Sequence, residues 1–401
     1  MKKVVGLAAF ALATTLMGTV APTMAAADPL PPGQSAKLKA AESAATMDGF
    51  KRMLAEQIAR RLDNGEFKAV LNRELAGDGQ ADLAALFASV PGAQDLTDYT
   101  RQADSKILQL KGLQTEGEGE SLLEVSADPA TVKRVAAGEK PLVMFTPSKD
   151  EKFVRTVTAY DSAGRTHELD ARRAPKQAVL VVGLNERKTA ELGQQVIRKA
   201  LTEAGVTGVD RKAAEAQQPT AQAAEAQQPT AQAAGTPRWA AQIYRITNYN
   251  DHEPWYKGGP EIYAWTMGAG TDGKARVDSI EMPYITDEGT TYSNVNQVLI
   301  EWSNFSWTAV DVVFMERDDN ADLSGLAKAI VEGVLVATGN GQYVAIADKV
   351  ISALPSDWVT DSDDWVDSCY SVQAGRAGQI KSMPCAARPV GMEVRLISNW
   401  I

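Results

Sequence analysis

Apolar spacing predicts that the N-terminal half of the chain opens with helices and continues with short strands. From Phe50 to Leu62 an apolar residue recurs every four positions, with charged residues between, which is the period of one helix face. Further elements are predicted by the same criteria: helices at 67–71 and 81–90, strands at 122–125, 142–145, 153–160 and 179–182, a short strand ending at 169, and a helix at 191–204.

After residue 238 the pattern changes to strands that flank a helical segment. The clearest strand is 308–316, with Val310, Val312 and Phe314 on one face. In the first strand, alternation predicts that Ile243 and Ile246 lie on opposite faces. The remaining predictions are strands at 262–267, 295–302, 365–372 and 392–398 and a pair of helices at 323–336 and 343–354.

A tandem repeat separates these halves. The ten residues Ala213–Gln222 recur as Ala223–Gln232, without an aromatic or large aliphatic residue that could pack in a core. The sequence therefore predicts an α+β protein in four parts. These are a signal peptide (1–27), an N-terminal domain of helices and a small sheet (28–210), a flexible linker (211–237), and a C-terminal β-sandwich with a helical-hairpin insertion (238–401).

The first residues are typical of an export signal. Lys2 and Lys3 precede a short apolar run, and small residues precede Asp28, where we expect cleavage. The protein is therefore expected to be secreted or periplasmic, without a transmembrane segment. Because such compartments are oxidising, Cys369 and Cys385 are predicted to form a disulfide bond.

Charge is distributed unequally between the halves. The net charge is −10, and the residues from Arg238 onward hold 22 acidic and 12 basic side chains, so the excess belongs to the C-terminal half. An acidic chain is a poor partner for phosphate backbones, which argues against nucleic-acid binding. With 2 His in the whole chain, His-rich zinc sites are excluded.

Acidic loops at strand ends are the main chemical signal. They follow the first strand, follow the 308–316 strand, and precede the 365–372 strand. Crowded carboxylates repel one another unless a cation screens them, and Ca²⁺ prefers such oxygen ligands. The predicted cofactor is therefore Ca²⁺, with solvated acidic loops as the alternative. The candidate ligands are Asp251, Glu253, Glu316, Asp318, Asn320, Asp322, Asp361, Asp363 and Asp364.

The Asp318-x-Asn320-x-Asp322 spacing begins like an EF-hand, but Leu323 replaces the turn glycine, which excludes that motif. The acidic loops instead resemble those of C2 domains, which are calcium-binding β-sandwiches. The stretch 253–263, together with Glu316 and residues 363–367, resembles an exported bacterial family described only as a domain of unknown function. That second resemblance implies no activity.

These observations predict an exported, non-enzymatic protein, a calcium-stabilised binding or interaction module whose partner is an extracellular protein, a glycan or a surface. The chain contains no His-Glu-x-x-His, G-x-S-x-G or phosphate-loop motif. The alternative is a secreted carboxylate-dependent hydrolase acting on glycans or peptides. The candidate catalytic carboxylates of such a hydrolase would be Glu253, Glu261, Glu301 and Glu316. The candidate aromatic platforms for a sugar would be Trp255, Trp265, Trp302 and Trp307.

Overall fold

A computed structural model describes most of the chain. The described residues are 32–113, 117–148, 154–211, 237–249, 254–257, 262–285, 289–306, 309–316, 327–328, 330–332, 334, 365–385 and 391–401. Contacts divide the chain into two units, residues 1–41 and 42–401. Of the first unit, residues 32–41 are the start of a helix. The predicted signal peptide lies outside the described residues.

Six α-helices lie in the described part of the N-terminal half. They are α1 (Pro32–Arg61), α2 (Gly65–Leu75), α3 (Leu83–Ala88), α4 (Gln94–Leu110), α5 (Pro129–Ala136) and α6 (Glu186–Glu203). Side-chain caps fix several of their starts. The carboxylate of Asp82 accepts from the Ala85 N–H, so the helix predicted at 81–90 begins only at Leu83.

A six-stranded sheet packs against these helices. Its order is β1-β2-β6-β3-β4-β5, in which β3 and β6 are parallel and the other neighbours antiparallel. The strands are β1 (Gln80–Asp82), β2 (Leu123–Ser126), β3 (Leu142–Phe145), β4 (Thr156–Tyr160), β5 (Thr166–Asp170) and β6 (Val179–Leu184). Every residue of β6 is buried, as expected for a strand covered on both faces.

The two faces of this sheet bury different partners. On one face, Val143 and Val182 join a core with Leu54 of α1 and Ile107 of α4. On the other face, strand residues pack with Tyr256, which comes from the C-terminal half of the chain. A segment beyond the repeat therefore covers the sheet that precedes it.

The C-terminal half is a β-sandwich of two five-stranded sheets. One has the order β14-β13-β9-β10-β7, and the other has β11-β8-β16-β15 with β12 also paired to β8. The strands are β7 (Asp210–Arg211), β8 (Trp239–Asn248), β9 (Ile262–Ala269), β10 (Ala275–Glu281), β11 (Thr291–Ser293), β12 (Val298–Glu301), β13 (Ala309–Glu316), β14 (Trp365–Gln373), β15 (Ile380–Ser382) and β16 (Met392–Trp400).

Residues of both sheets share one core, which makes the pair a sandwich. Val310, Val312 and Phe314 of β13 point into it, as alternation predicts. The α+β fold class is confirmed. Residues 327–328, 330–332 and 334 are helical, and the rest of the predicted helical hairpin lies outside the described residues.

The face assignment for the first sandwich strand is wrong. Ile243 and Ile246 both enter the sandwich core. Arg395 pairs with Arg245, whereas the next residue, Leu396, pairs with Ile243, so Tyr244 is an extra residue in β8. Such a bulge reverses the alternation of faces. The bulge cannot be predicted from an alternating pattern, because that pattern assumes regular pairing along the strand.

The predicted disulfide bond is confirmed. The sulfur atoms of Cys369 and Cys385 are 1.92 Å apart, and Cys369 is fully buried in β14 opposite Val312. The bond ties a strand of one sheet to the segment that leaves β15 of the other.

Described residues on either side of the repeat bind one carboxylate, that of Glu301. Arg211 is the last described residue before the repeat and donates to Glu301 Oε2 at 2.8 Å, while Arg238, just after the repeat, lies 3.3 Å from the same oxygen. Arg211 also belongs to β7, which pairs with β10 of the sandwich. Nearby, burial raises the pKa of Asp278, against the opposing effect of Arg276 and Arg211. Arg211 and Arg238, which flank the repeat, are thus both fixed on the sandwich.

We expect Glu301→Gln to lower the free energy of unfolding by roughly 1–3 kcal/mol, because two arginines lose their shared carboxylate in a largely buried site. Denaturant unfolding measures this. The control is Glu393→Gln, whose ion pair with Arg395 is exposed and should contribute less than about 1 kcal/mol. Equal losses in the two variants would contradict a structural role for Glu301.

Candidate functional site

A polar cleft of about 180 Å³ lies beside β1, β2 and the start of α6. It is lined almost entirely by polar and charged residues. These are Asp78, Gln80, Asp82, Ser121, Leu122, Leu123, Glu124, Asn185, Arg187 and Lys188.

The topology explains why these residues meet. Strand β6 ends at Leu184 and the chain passes through Asn185 into α6, while the antiparallel β2 begins beside that end, with Leu123 opposite Leu184. Carboxyl ends of parallel strands such as β3 and β6 are common ligand sites, since helix starts and loops converge there. Strand β1 adds one acidic residue, Asp82, because Asp82 pairs with Glu124 of β2.

Asp104 of α4 fixes the start of β2. Its Oδ1 accepts the N–H groups of Leu122 and Leu123 at 2.9 and 2.8 Å, and its Oδ2 accepts the Ser121 hydroxyl at 3.0 Å. Burial raises the pKa of Asp104 to about 6, and the charge of Asp82 adds to this, despite the three hydrogen bonds. A buried carboxyl thus holds one wall of the cleft.

Asn185 joins α6 to β2 and to the residue that precedes β2. Its Oδ1 caps α6 by accepting the Lys188 N–H at 2.8 Å, and its Nδ2 donates to Glu124 Oε2 at 2.6 Å. Its own N–H donates to Leu122 O. The Lys188 ammonium donates to Ser121 O at 3.0 Å and lies 3.4 Å from Glu120. The cleft therefore combines fixed polar groups of both charge signs.

A second buried polar cluster is structural. Lys51 is fully buried, and its Nζ donates to Ser148 Oγ at 2.8 Å and to Thr146 Oγ1 at 3.3 Å. A serine beside a lysine could serve acyl transfer if the lysine were neutral. Here Asp48 lies 3.6 Å from Lys51 Nζ and also accepts the Ser148 N–H, so the three side chains form one connected polar cluster. This cluster anchors α1 to the end of β3.

Of the predicted calcium ligands, the structure describes only Glu316. It ends β13 and is 4 % exposed. Among the described residues no group of three His, Cys, Asp or Glu side chains could hold a metal ion. The other candidates lie outside the described residues: Asp251, Glu253, Asp318, Asn320, Asp322, Asp361, Asp363 and Asp364.

The residues named for the alternative hydrolase have structural partners where they are described. Glu301 is held by two arginines, and Trp265 and Trp302 are buried in the cores on either face of the β13 sheet. Trp255 donates from Nε1 to Asp170 O at 3.0 Å. Glu253, Glu261 and Trp307 lie outside the described residues.

Sequence reasoning missed the cleft because its residues come from three distant segments, 78–82, 121–124 and 185–188. One local signal was available. Asn185 directly follows a buried strand and precedes a helix, which is the arrangement of an N-cap at a strand end.

Comparison with known proteins identifies the family. A model described as "Protein of unknown function (DUF3103)" matches residues 51–382. The chain belongs to the DUF3103 family. The predicted membership in a family of unknown function is confirmed. No curated protein and no solved structure matches the DUF3103 chain, so its C2 likeness stays a resemblance of sequence.

In the part of the DUF3103 chain that the structure describes, no helix is long and apolar enough to cross a bilayer.

We expect Asp104→Asn to stabilise the protein at pH 7.5 but not near pH 4. The folded-state pKa of about 6 exceeds the ordinary value of 3.8, so the folded form binds the extra proton and wild-type stability falls as pH rises through about 6. The difference should approach about 3 kcal/mol at most. The asparagine side chain keeps an Oδ1 acceptor for the N–H groups of Leu122 and Leu123. Its Nδ2 group can donate to the Ser121 hydroxyl.

Denaturant unfolding at both pH values measures the effect. Asp98→Asn, an exposed site on the same helix, is the control and should show no such pH dependence. A stability difference that is the same at pH 4 and pH 7.5 would contradict the role assigned to Asp104.

Proposed function

We propose that this protein is an exported, non-enzymatic binding protein that holds a small polar ligand in the cleft beside β1, β2 and α6. The observation that carries the proposal is the cleft itself, whose polar groups are already oriented by hydrogen bonds within the protein. Preoriented groups lose little freedom when a ligand binds, which favours recognition. Export is supported by the charged and apolar N-terminus and by the disulfide bond.

A binding role is favoured over catalysis by the state of the nucleophile candidates. Ser148 is 5 % exposed and lies beside Lys51, which pairs with Asp48. Glu301, a candidate residue of the alternative hydrolase, forms ion pairs with Arg211 and Arg238. Both arrangements stabilise the fold.

The proposal is tested by a thermal-shift screen of the mature protein against monosaccharides, disaccharides, free amino acids, dipeptides and inorganic anions. Gln80→Trp should fill the cleft from an exposed position on β1, and Gln80→Ala should leave it open. We expect at least one compound to raise the melting temperature of wild type and Gln80→Ala but not of Gln80→Trp. Saturation at one hundred times Kd would add about 2.7 kcal/mol.

Two outcomes would contradict this function. One is that each stabilising compound acts equally on the tryptophan variant, which would place binding elsewhere. The other is chemical turnover of a bound compound, detected by mass spectrometry of the ligand after incubation.

We also propose that Ca²⁺ binds the acidic loop after β13. Support comes from Glu316, which is buried at the end of that strand on the face defined by Val312 and Phe314, as its spacing predicts. The adjoining sequence Asp318-x-Asn320-x-Asp322 supplies further oxygen ligands of the type that Ca²⁺ prefers.

Calcium should raise the melting temperature and chelator should lower it, because an ion bound only to the folded state stabilises that state. Asp318→Ala should abolish the difference. Glu203→Ala, an exposed acid at the end of α6, should keep it. A wild-type melting curve that is unchanged at millimolar calcium would show that these loops are only solvated.

A further inference from the structure

We infer that the outer face of the sheet β11-β8-β16-β15 binds the phosphate group of a phosphorylated sugar between Arg245 and Arg395. This site shares no residue with the cleft beside β1, β2 and α6, so its test is separate from that of the cleft. Two observations support it: the register of four neighbouring strands, and the donor groups of the two arginines that lack an acceptor.

One row of polar side chains crosses all four strands of this sheet. Arg395 of β16 is directly opposite Arg245 of β8. Ser293 of β11 is opposite Arg245, and Ser382 of β15 is opposite Arg395. Val394, the neighbour of Arg395, points into the sandwich core, so the row is on the outer face. Both serines are exposed, and the row is therefore open to solvent.

The two arginines place like charges opposite each other with one carboxylate between them. Within the described residues, Arg245 has no ion-pair partner, while Glu393 Oε1 lies 3.3 Å from Nη2 of Arg395. The Nε groups of both arginines are buried without a hydrogen-bond acceptor. Like charges in directly opposed positions destabilise a sheet, and buried donors without acceptors cost further free energy. An anion between the guanidiniums would offset the repulsion and supply acceptors.

The charge and the number of donors favour a single phosphate. A carboxylate has two oxygens, which one guanidinium satisfies through two parallel hydrogen bonds. A phosphate monoester has three terminal oxygens and a charge of about −1.5 to −2 at pH 7, which suits two guanidiniums. The C-terminal half has a net charge of −10 and would repel a chain of many phosphates.

The serines indicate what carries the phosphate. Neighbouring strands are about 4.8 Å apart, so each serine lies one strand beyond the arginine pair. Their short side chains are too far to the sides to bind an anion held between the arginines. Hydroxyl groups both donate and accept hydrogen bonds, so Ser293, Ser382 and the exposed Thr291 of the next row are suited to the hydroxyls of a sugar.

Isothermal titration calorimetry on the full mature protein tests this site with glucose 1-phosphate, glucose 6-phosphate and mannose 6-phosphate. We expect at least one of them to bind, inorganic phosphate to bind more weakly, and glucose and gluconate not to bind detectably. Arg245→Gln and Arg395→Gln should each weaken binding at least about tenfold, since each removes a charge-assisted contact. Arg173→Gln removes the same charge at an exposed position outside the sandwich and should bind as wild type does.

Melting temperatures without ligand show whether the variants are folded. Arg245→Gln should melt no lower than wild type, because it removes one of two opposed charges. Failure of all three sugar phosphates to bind would overturn the inference, as would binding that neither arginine variant weakens. Binding that Gln80→Trp abolishes would place the ligand in the cleft instead. Inorganic phosphate that binds as tightly as the sugar phosphates would contradict the part assigned to the serines.

Discussion

Helix α6 is the element on which the two halves depend, because its apolar stripe is buried in two different cores. Leu192 packs in the core of the first sheet, while Ile197 and Leu201, further along, pack on the sandwich against Trp265 and Val277. A helix shared in this way couples the stability of both halves. Arg198 strengthens the junction by bonding to Asp210 and to Val277 O. The same helix positions the cleft, because its first turn supplies Arg187 and Lys188.

The cleft therefore depends on the fold rather than on a motif. Asp104, Glu124 and Asn185 come from a helix, a strand and a helix cap, and each is fixed by bonds to another of these elements. A movement of α6 against β2 would change the spacing of the charged groups. Binding in the cleft should accordingly be sensitive to packing changes at Leu192 and Leu184, although neither contributes a polar group.

Elements were predictable from the sequence where local pattern and burial agree. Strand β3 matches its predicted bounds, 142–145, because its residues are apolar and largely buried. Helix α4 was missed because its buried face includes Thr97, Thr100 and Asp104. These polar residues interrupt the apolar spacing from which a helix is predicted. Strand β10 was missed for a similar reason, since Asp278 and Ser279 are buried in it.

The candidate site was predictable only in part. The disulfide followed from composition and the expected compartment and is confirmed. Glu316 ends β13, and its role as a calcium ligand stays a prediction. The cleft brings together residues that are far apart in the chain, from Asp78 to Lys188, and no periodicity encodes that proximity. Its buried acid, Asp104, became recognisable only through the hydrogen bonds that it accepts.

The carboxylate of Glu301 has a consequence for how this chain can vary. Since Arg211 and Arg238 both bind it, the two residues that flank the repeat are held close together. Doubling such a loop changes closure entropy by only about 0.6 kcal/mol. Because the repeat unit is a whole number of codons, slippage during replication could add or remove a copy without shifting the reading frame or moving either anchor. A change of one copy should therefore alter the entropy of closing this loop only slightly.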